Sequence, residues 1–314
     1  MHSFGTKLLS IKQLQLKHVE QLFQLATQLK SSFMSTGDYG EHYHTDFSRR
    51  LVFLLFLEPS TRTRMSFESA VHRIGARCSS FSNLKSTSLV KGESVLDTIK
   101  TLEAMKPDLL VIRYPDSPMV DQHLAESPTP TISAGSGPFE HPTQALLDVF
   151  TVKEKLGNIS GKNILFLGDV RHSRVANSNY HLFKLLGANI GYCAPSFYAP
   201  VAEQGWDHST AFEKLKEGLE WADVCMVLRL QKERHSEKTD QRISEYVTYY
   251  QLNEKAMEWL SPQSYIMHPG PFVPNEEITY GAVNDSRSLI LNQVENGVYV
   301  RSSLLINMLS GDSR

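Results

Sequence analysis

Hydroxyl and guanidinium side chains follow an apolar run early in the chain. The run "LVFLLFL" at residues 51–57 leads through "EP" into Ser60, Thr61, Arg62 and Thr63. Hydroxyl groups can donate to anionic oxygens, and the planar fork of an arginine matches the oxygens of a phosphate. The segment therefore predicts an anion site. A helix cap with a surface ion pair to Glu58 or Glu68 is the alternative that these residues alone leave open.

Cationic or polar groups also follow the later apolar runs. They are Arg113 in "VIRYP", Arg171, His172 and Arg174 in "GDVRHSR", Arg229 in "LRLQKER", and His268 in "MHPGP". Taken singly, each of these is typical of a solvated surface residue. Their repetition at successive run ends favours a substrate, or a pair of substrates, that carries several negative charges.

The segment "EHPTQ" at residues 140–144 indicates a different chemistry. Pro142 suits the first turn of a helix, which would place His141 and Gln144 near that helix N-terminus. The positive end of the helix dipole favours a neutral imidazole, which could polarise a carbonyl group. A cap or packing residue is the alternative for His141. Lys91, in the polar segment "STSLVKGESVLDT", is by itself typical of a solvated loop.

The apolar runs are short and continuous, as expected for strands covered on both faces. Helical patterns such as "RMSFESAVHRIG" and "SNYHLFKLLGA" lie between them. This alternation predicts an α/β fold with parallel sheets. The long charged segment 231–246 is predicted to be a mobile lid that orders over the substrates.

The length predicts two domains, each a parallel sheet flanked by helices. The Pro/Gly/Ser-rich segment 126–144 is the best boundary between them. We assign residues 1–142 to the first domain and residues 143–296 to the second. The patterned segment 297–314 is predicted to return to the first domain as a C-terminal helix.

Composition and charge exclude several classes of function. The net charge of −2, without a basic face or a block of like charge, gives no reason to expect nucleic acid or a membrane as partner. Three cysteines without ligand spacing indicate neither a disulfide framework nor a metal site. The single glycine in "FLGDVRHSR" argues against a dinucleotide cofactor. Without a signal peptide or a long apolar span, the chain is predicted to be cytoplasmic.

Five segments together carry a family resemblance. In this order, "FLEPSTRTR", "KGESVLDT", "HPTQ", "GDVRHSR" and "LRLQKER" resemble the transcarbamylases, and they are closest to the aspartate carbamoyltransferase branch. "STRT" and "HPTQ" are shared with the ornithine branch, whereas "QKER" and "HPGP" point to the aspartate branch. The resemblance covers nearly the whole chain.

The resemblance implies transfer of a carbamoyl group from carbamoyl phosphate to L-aspartate, an early step of pyrimidine biosynthesis, without metal or cofactor. It also implies a carbamoyl-phosphate-binding first domain and an aspartate-binding second domain. The site residues that it implies are Ser60, Thr61, Arg62 and Thr63 for the phosphate, Thr63, Arg113 and His141 for the carbamoyl oxygen, Gln144 for the carbamoyl amino group, and Arg174, Arg229 and Gln231 for the aspartate carboxylates.

A homotrimer with shared active sites is also implied, in which Lys91 and Ser88 reach in from the adjacent chain. Regulatory chains or a dihydroorotase as further partners are left open. The chain departs from the family after "HPGP", where an arginine is usual and residues 272–274 are "FVP". Two alternatives therefore remain, namely a transcarbamylase for another amino acid such as ornithine, and a catalytically silent assembly partner.

Overall fold

The computed structural model describes residues 5–39, 46–81, 92–231 and 239–310. The chain divides into two compact units: unit 1 comprises Met1–Leu146 and Val294–Arg314, and unit 2 comprises Leu147–Gln293. Each unit contains one five-stranded sheet. Over the described ranges, no helix combines the length and the apolar character needed to cross a membrane.

The sheet of unit 1 has the strand order β1-β5-β4-β2-β3, and all neighbouring strands are parallel. Its strands are Lys7–Leu8 (β1), Leu51–Phe56 (β2), Arg77–Phe81 (β3), Leu109–Tyr114 (β4) and Thr131–Ser136 (β5). The central strands β2 and β4 are buried almost throughout, because helices cover both faces of the sheet.

The helices of unit 1 are Leu16–Thr36 (α1), Thr61–Arg73 (α2), Val95–Ala104 (α3) and Pro118–Glu126 (α4). The helix Pro142–Leu156 (α5) begins in this unit. Local sequence explains several of these boundaries. Ser94 and Ser117 cap α3 and α4 through their side chains, and α1 ends at Gly37, which adopts the left-handed conformation.

The sheet of unit 2 has the order β10-β9-β6-β7-β8 and is likewise parallel. Its strands are Asn163–Gly168 (β6), Asn189–Cys193 (β7), Ser209–Phe212 (β8), Val224–Leu228 (β9) and Tyr265–Met267 (β10). Its helices are Arg174–Leu185 (α6), Leu215–Trp221 (α7), Thr239–Tyr249 (α8), Glu254–Met257 (α9) and Tyr280–Val283 (α10). Two units of this kind confirm the predicted α/β fold class.

The last helix, Ile290–Ser310 (α11), extends into unit 1. There the Lys30 ammonium donates to Asn296 at 2.8 Å, and the hydroxyl groups of Tyr39 and Ser302 lie 2.8 Å apart. The predicted return of the C-terminal helix is thus confirmed. The helix begins well before Gly297, which lies in its interior, because the leucine and valine residues that precede this glycine continue the helical pattern.

Two further expectations from the sequence concern segments that the structure describes in whole or in part. The Pro/Gly/Ser-rich segment 126–144 contains the buried strand β5, and the division between the two units falls just after it, at Leu146 and Leu147. The predicted lid segment 231–246 ends within α8, where Tyr246 is fully buried beside Tyr198 and Leu230. The mobile lid stays a prediction. Residues 232–238 of that segment lie outside the described residues.

Candidate active site

In unit 1 the carboxyl ends of three neighbouring strands lie at the same end of the sheet. Phe56 of β2 is paired with Arg113 of β4, and Tyr114 of β4 is paired with Ser136 of β5. Ligands of open parallel sheets bind at the carboxyl ends of the strands, so the predicted anion site is expected at this end of the sheet.

The first turn of α2 follows β2 after a short connection. The Ser60 carbonyl accepts the first helical hydrogen bond, from the N–H of Arg64, but its side chain forms no capping bond. Thr63 is buried, and the Arg62 side chain is exposed. In the part of the chain that the structure describes, Arg62 has neither an ion pair nor a hydrogen-bonded side chain. Although the residue is exposed overall, neighbouring protein atoms partly desolvate its guanidinium and lower the pKa of Arg62, which still remains protonated. The turn thus presents a hydroxyl, a guanidinium and helix N–H groups to one place.

His141 and Arg113 both lie beside Gly135, and Thr63 lies beside His141. Thr63 Oγ1 lies 3.5 Å from His141 Nε2, at the outer limit of hydrogen bonding. A Cβ atom at Gly135 would lie 3.5 Å from His141 Cδ2 and 3.6 Å from Arg113 Nη1. The φ angle of Gly135 is +109°, which strongly favours glycine. The sequence prediction did not single out this residue; its backbone conformation is what favours glycine, because a Cβ at these distances would make only ordinary contacts with the imidazole and the guanidinium.

The acidic residues of the alternative interpretation have partners other than Arg62. Glu68 Oε1 lies 2.9 Å from Arg64 Nη1, and Glu58 Oε2 lies 3.4 Å from Arg113 Nε. The alternative of a helix cap with a surface ion pair therefore accounts for the role of Arg64 but gives no role to Arg62. The Glu58 carboxylate instead lies next to the guanidinium of Arg113, a residue that is almost completely buried.

His141 and Gln144 lie at the start of α5, as the sequence predicts. Both side chains are buried, and the His141 carbonyl accepts from the N–H groups of Gln144 and Ala145 at 3.0 and 3.2 Å. These bonds define the first turn of the helix. The neutral state expected for the His141 imidazole stays a prediction.

In unit 2 the carboxyl ends of β6 and β9 lie side by side, since Gly168 is paired with Leu228. Arg174 is the first residue of α6, whose Ser173 cap accepts from the N–H of Ala176 at 3.1 Å. Arg229 follows directly after β9 and is half-buried, with Gln231 two residues further on. The predicted aspartate-binding residues thus follow two adjacent strands.

Asp169 connects the segments that follow these two strands. Its carboxylate is fully buried, and it accepts from His172 Nδ1 at 2.7 Å and from the backbone N–H of Gln231 at 3.2 Å. The sequence prediction quoted "GDVRHSR" but assigned no role to this aspartate. The signal available in the sequence was an acidic residue directly after an apolar run, because a carboxylate that is buried there needs hydrogen-bond donors.

The loop after β10 is stabilised by hydrogen bonds between its own residues. His268 is buried, its Nδ1 accepts from the N–H of Gly270 at 2.8 Å, and its Nε2 lies 3.2 Å from Glu277 Oε1. Because Nδ1 is an acceptor, the imidazole proton resides on Nε2 and is donated to Glu277. The same carboxylate oxygen accepts from the N–H of Val273 at 2.7 Å. His268, predicted as one of the strand-end groups that face an anion, thus has both ring nitrogens engaged in its own loop.

Ser88 and Lys91, the residues predicted to act from an adjacent chain, lie outside the described residues. Each unit, considered by itself, is an open parallel sheet with polar or cationic groups at the carboxyl ends of its central strands. These features define a class of α/β protein that binds small anionic ligands at the ends of its sheets.

Comparison with known proteins narrows this class. The family model "Aspartate/ornithine carbamoyltransferase, carbamoyl-P binding domain" matches residues 6–154, and the corresponding "Asp/Orn binding domain" model matches residues 160–308. The chain is 43% identical over 265 residues to an aspartate carbamoyltransferase catalytic subunit of Desulfitobacterium hafniense, covering 84% of each chain. It is 39% identical over 298 residues to that of Caldanaerobacter subterraneus subsp. tengcongensis, covering 95% of this chain and 96% of the relative. The chain belongs to the aspartate/ornithine carbamoyltransferase family.

Solved structures agree with this assignment. Aspartate transcarbamoylase from Trypanosoma cruzi in complex with carbamoyl phosphate superimposes with a TM-score of 0.85 at 26% identity, over 95% of this chain and 94% of that one. The catalytic subunit from M. jannaschii gives a TM-score of 0.83 at 27% identity, over 98% of this chain and 99% of the other. Both the sequence resemblance and the fold that it implies are thereby confirmed.

Proposed function

We propose that this chain transfers the carbamoyl group of carbamoyl phosphate to the amino group of L-aspartate, which gives N-carbamoyl-L-aspartate and phosphate. The single observation that carries the proposal is the position of His141, which lies beside Thr63 and, with Arg113, beside Gly135. A hydroxyl, a guanidinium and an imidazole at one point are suited to a carbonyl oxygen on which negative charge develops.

The first turn of α2 would hold the phosphate. Ser60, Thr61 and Thr63 offer hydroxyl groups, Arg62 offers its planar fork, and the helix N-terminus adds backbone donors. The absence of a capping bond from the Ser60 side chain supports this assignment, because a resident cap would compete with the ligand for these N–H groups.

The carbamoyl oxygen would lie against Thr63, Arg113 and His141, with Gln144 accepting from the carbamoyl amino group. As the amine nitrogen bonds to the carbonyl carbon, the oxygen becomes negatively charged. The bond from carbon to the phosphate oxygen then breaks, phosphate leaves with the electron pair, and it can take the proton that the amine loses. Removal of one donor to such an oxygen typically costs ~3 kcal/mol of barrier.

Arg174, Arg229 and Gln231 would bind the carboxylates of aspartate. Two guanidinium groups at adjacent strand ends favour a dicarboxylate and disfavour the second ammonium of ornithine. Holding the amine and the carbonyl in register would supply much of the remaining acceleration, up to ~7–11 kcal/mol for well-oriented reactants.

Incubation of the purified chain with carbamoyl phosphate and L-aspartate, with L-ornithine in a parallel sample, tests the proposal through the ureido product. We expect carbamoyl-aspartate alone. Arg62→Ala should abolish nearly all turnover while the protein stays folded. Arg64→Ala is the matched control, since Arg64 is on the same helix but is paired with Glu68. Product from ornithine would support the other branch, and a folded protein that does not bind carbamoyl phosphate would support a silent assembly partner.

We further propose a cytoplasmic homotrimer in which Lys91 and Ser88 complete the site of an adjacent chain. Family membership supports this assembly, and the three free cysteines suit a reducing compartment. Mixing Arg62→Ala with Lys91→Ala protein after reversible dissociation should restore part of the activity if sites are shared, because some hybrid sites then contain both native residues. Recovery no greater than in the separate samples would contradict shared sites.

A further inference from the structure

A buried arginine on the C-terminal helix connects the two helices that begin at the candidate anion site. Arg301 of α11 is only 3% exposed. Its Nη1 donates to Ser66 Oγ of α2 at 2.8 Å, and its Nη2 lies 3.4 Å from Thr143 Oγ1 of α5. The guanidinium also lies over the Phe67 ring, 5.1 Å from its centroid. All of these groups belong to unit 1.

Both hydroxyl partners are close in sequence to the residues that would contact the ligand. Ser66 follows Thr63 by one turn on the same face of α2, and Thr143 lies between His141 and Gln144 at the start of α5. The rigid fork of one guanidinium therefore links the first two turns of α2 to the first turn of α5. The positions of Thr63 and His141, whose side chains lie 3.5 Å apart, depend on these same turns.

The charge of this side chain has a second effect. A buried guanidinium is costly to desolvate, and a hydrophobic residue would fill a purely structural gap at lower cost. Attraction between charges is much stronger inside a protein than in water. A positive charge near the N-terminal turns of α2 and α5 therefore adds to the potential at these helix N-termini.

We propose that Arg301 is a positioning residue for the anion site. It holds the N-terminal turns of α2 and the first turn of α5 together so that the Thr63 hydroxyl and the His141 imidazole meet, and its charge strengthens the binding of a phosphate-bearing substrate. Arg301 itself does not touch the ligand. This inference rests on the proposed function, because it assumes that the first turn of α2 binds a phosphate group.

The test compares Arg301→Met with Arg301→Lys. Binding of inorganic phosphate and of carbamoyl phosphate is measured by calorimetry without aspartate, and KM and kcat are measured with both substrates. We expect Arg301→Met to weaken phosphate binding by about tenfold or more, the loss of one charge-assisted interaction. The KM for carbamoyl phosphate should rise more than the KM for aspartate. Arg301→Lys should recover part of the affinity through its charge, but not the link between the two helices.

Arg73→Met is the matched control. Arg73 is on the last turn of α2, and its guanidinium lies 3.8 Å from the centroid of the Phe33 ring. This variant also removes a cation–aromatic contact in unit 1, yet it should leave phosphate affinity unchanged. If Arg301→Met does not fold, the double variant Ser66→Ala/Thr143→Val removes the two acceptors and keeps the charge. We expect it to lower kcat more than it lowers phosphate affinity.

Wild-type affinity for phosphate in folded Arg301→Met, or an unchanged kcat in the double variant, would overturn the inference alone. Failure of the wild-type protein to bind carbamoyl phosphate would overturn the proposed function together with it. The two failures are thus distinguishable.

Discussion

The backbone N–H of Gln231 donates to the carboxylate of Asp169 across the ends of two neighbouring strands, at 3.2 Å. The same carboxylate accepts a hydrogen bond from Nδ1 of the His172 imidazole at 2.7 Å. One buried side chain therefore sets the position of both segments that carry the candidate aspartate-binding residues.

Replacement of Asp169 by alanine should lower kcat/KM for aspartate by about a hundredfold, since small misplacements of binding groups have effects of this size. Carbamoyl phosphate binding should change little, because its candidate residues lie in unit 1. Steady-state kinetics together with calorimetry measure both quantities.

Asp223→Ala provides a control for this prediction. Asp223 accepts from the N–H of Asn163 at 2.8 Å, at the opposite end of the same strand, β6. This variant should lose stability but keep its KM for aspartate. An equal rise in KM in both variants would show a general loss of structure instead of a local effect on the site.

Thr63→Val removes the hydroxyl next to His141 and preserves the shape of the side chain. We expect kcat to fall by about a hundredfold, the usual effect of losing one donor to a developing oxyanion. Thr27→Val is the control, because the Thr27 hydroxyl donates to the Phe23 carbonyl within α1, away from the site. Full activity of Thr63→Val would mean that the hydroxyl contributes nothing to the transition state.

Glu277 stabilises the loop that follows β10. Glu277→Ala should leave the Nε2–H of His268 and the N–H of Val273 without their acceptor, at a cost of ~2–4 kcal/mol in the free energy of unfolding. Glu277→Gln should cost less, because one acceptor oxygen remains. Urea unfolding measures both values. Glu254→Ala, which removes an exposed acceptor of the Thr279 hydroxyl, should have a much smaller effect, and equal losses would contradict a special role for the buried carboxylate.

The thiols should be unreactive in the folded protein. Burial raises the pKa of Cys78 from 9.0 to about 11 and that of Cys193 to about 12, and it raises the pKa of Cys225 as well. Only thiolates react, so a disulfide reagent at about pH 8 should modify these residues slowly until denaturant is added. The folded state binds more protons than the unfolded state between pH 9.0 and about 11 at Cys78, so the free energy of unfolding falls as pH rises through this window. Fast modification of the native protein would contradict the prediction.

Residues that directly follow an apolar run could be predicted from the sequence. A short buried strand ends where its apolar run ends, and parallel packing brings such ends to the same end of the sheet. The placement of Arg62, Arg113 and Arg229 near strand ends could therefore be predicted without tertiary information. The strand β5 was missed, because its Thr, Ser, Ala and Gly residues resemble those of a loop. Composition does not show that small residues are required where other layers pack closely.

Pairings between distant residues could not be predicted. Asp169 meets Gln231, and Arg301 meets Ser66, only because of strand register and helix packing, which a single sequence does not display. Gly135 was missed because its left-handed backbone conformation is not visible in a single sequence. Ser88 and Lys91 remain predictions from the resemblance.

The order of the strands in the two sheets bears on how the binding sites could acquire different specificities. In each sheet the chain first winds outward in one direction, from β2 to β3 and from β6 to β7 and β8, and then returns to the other side with β4 or β9. The reversal occurs between β2 and β4 and between β6 and β9, where successive connections diverge to opposite faces and open a crevice. In folds of this kind the backbone winding alone places a crevice at such a reversal. Substitution of the side chains along its rim could therefore alter the preferred amine without rebuilding the scaffold beneath.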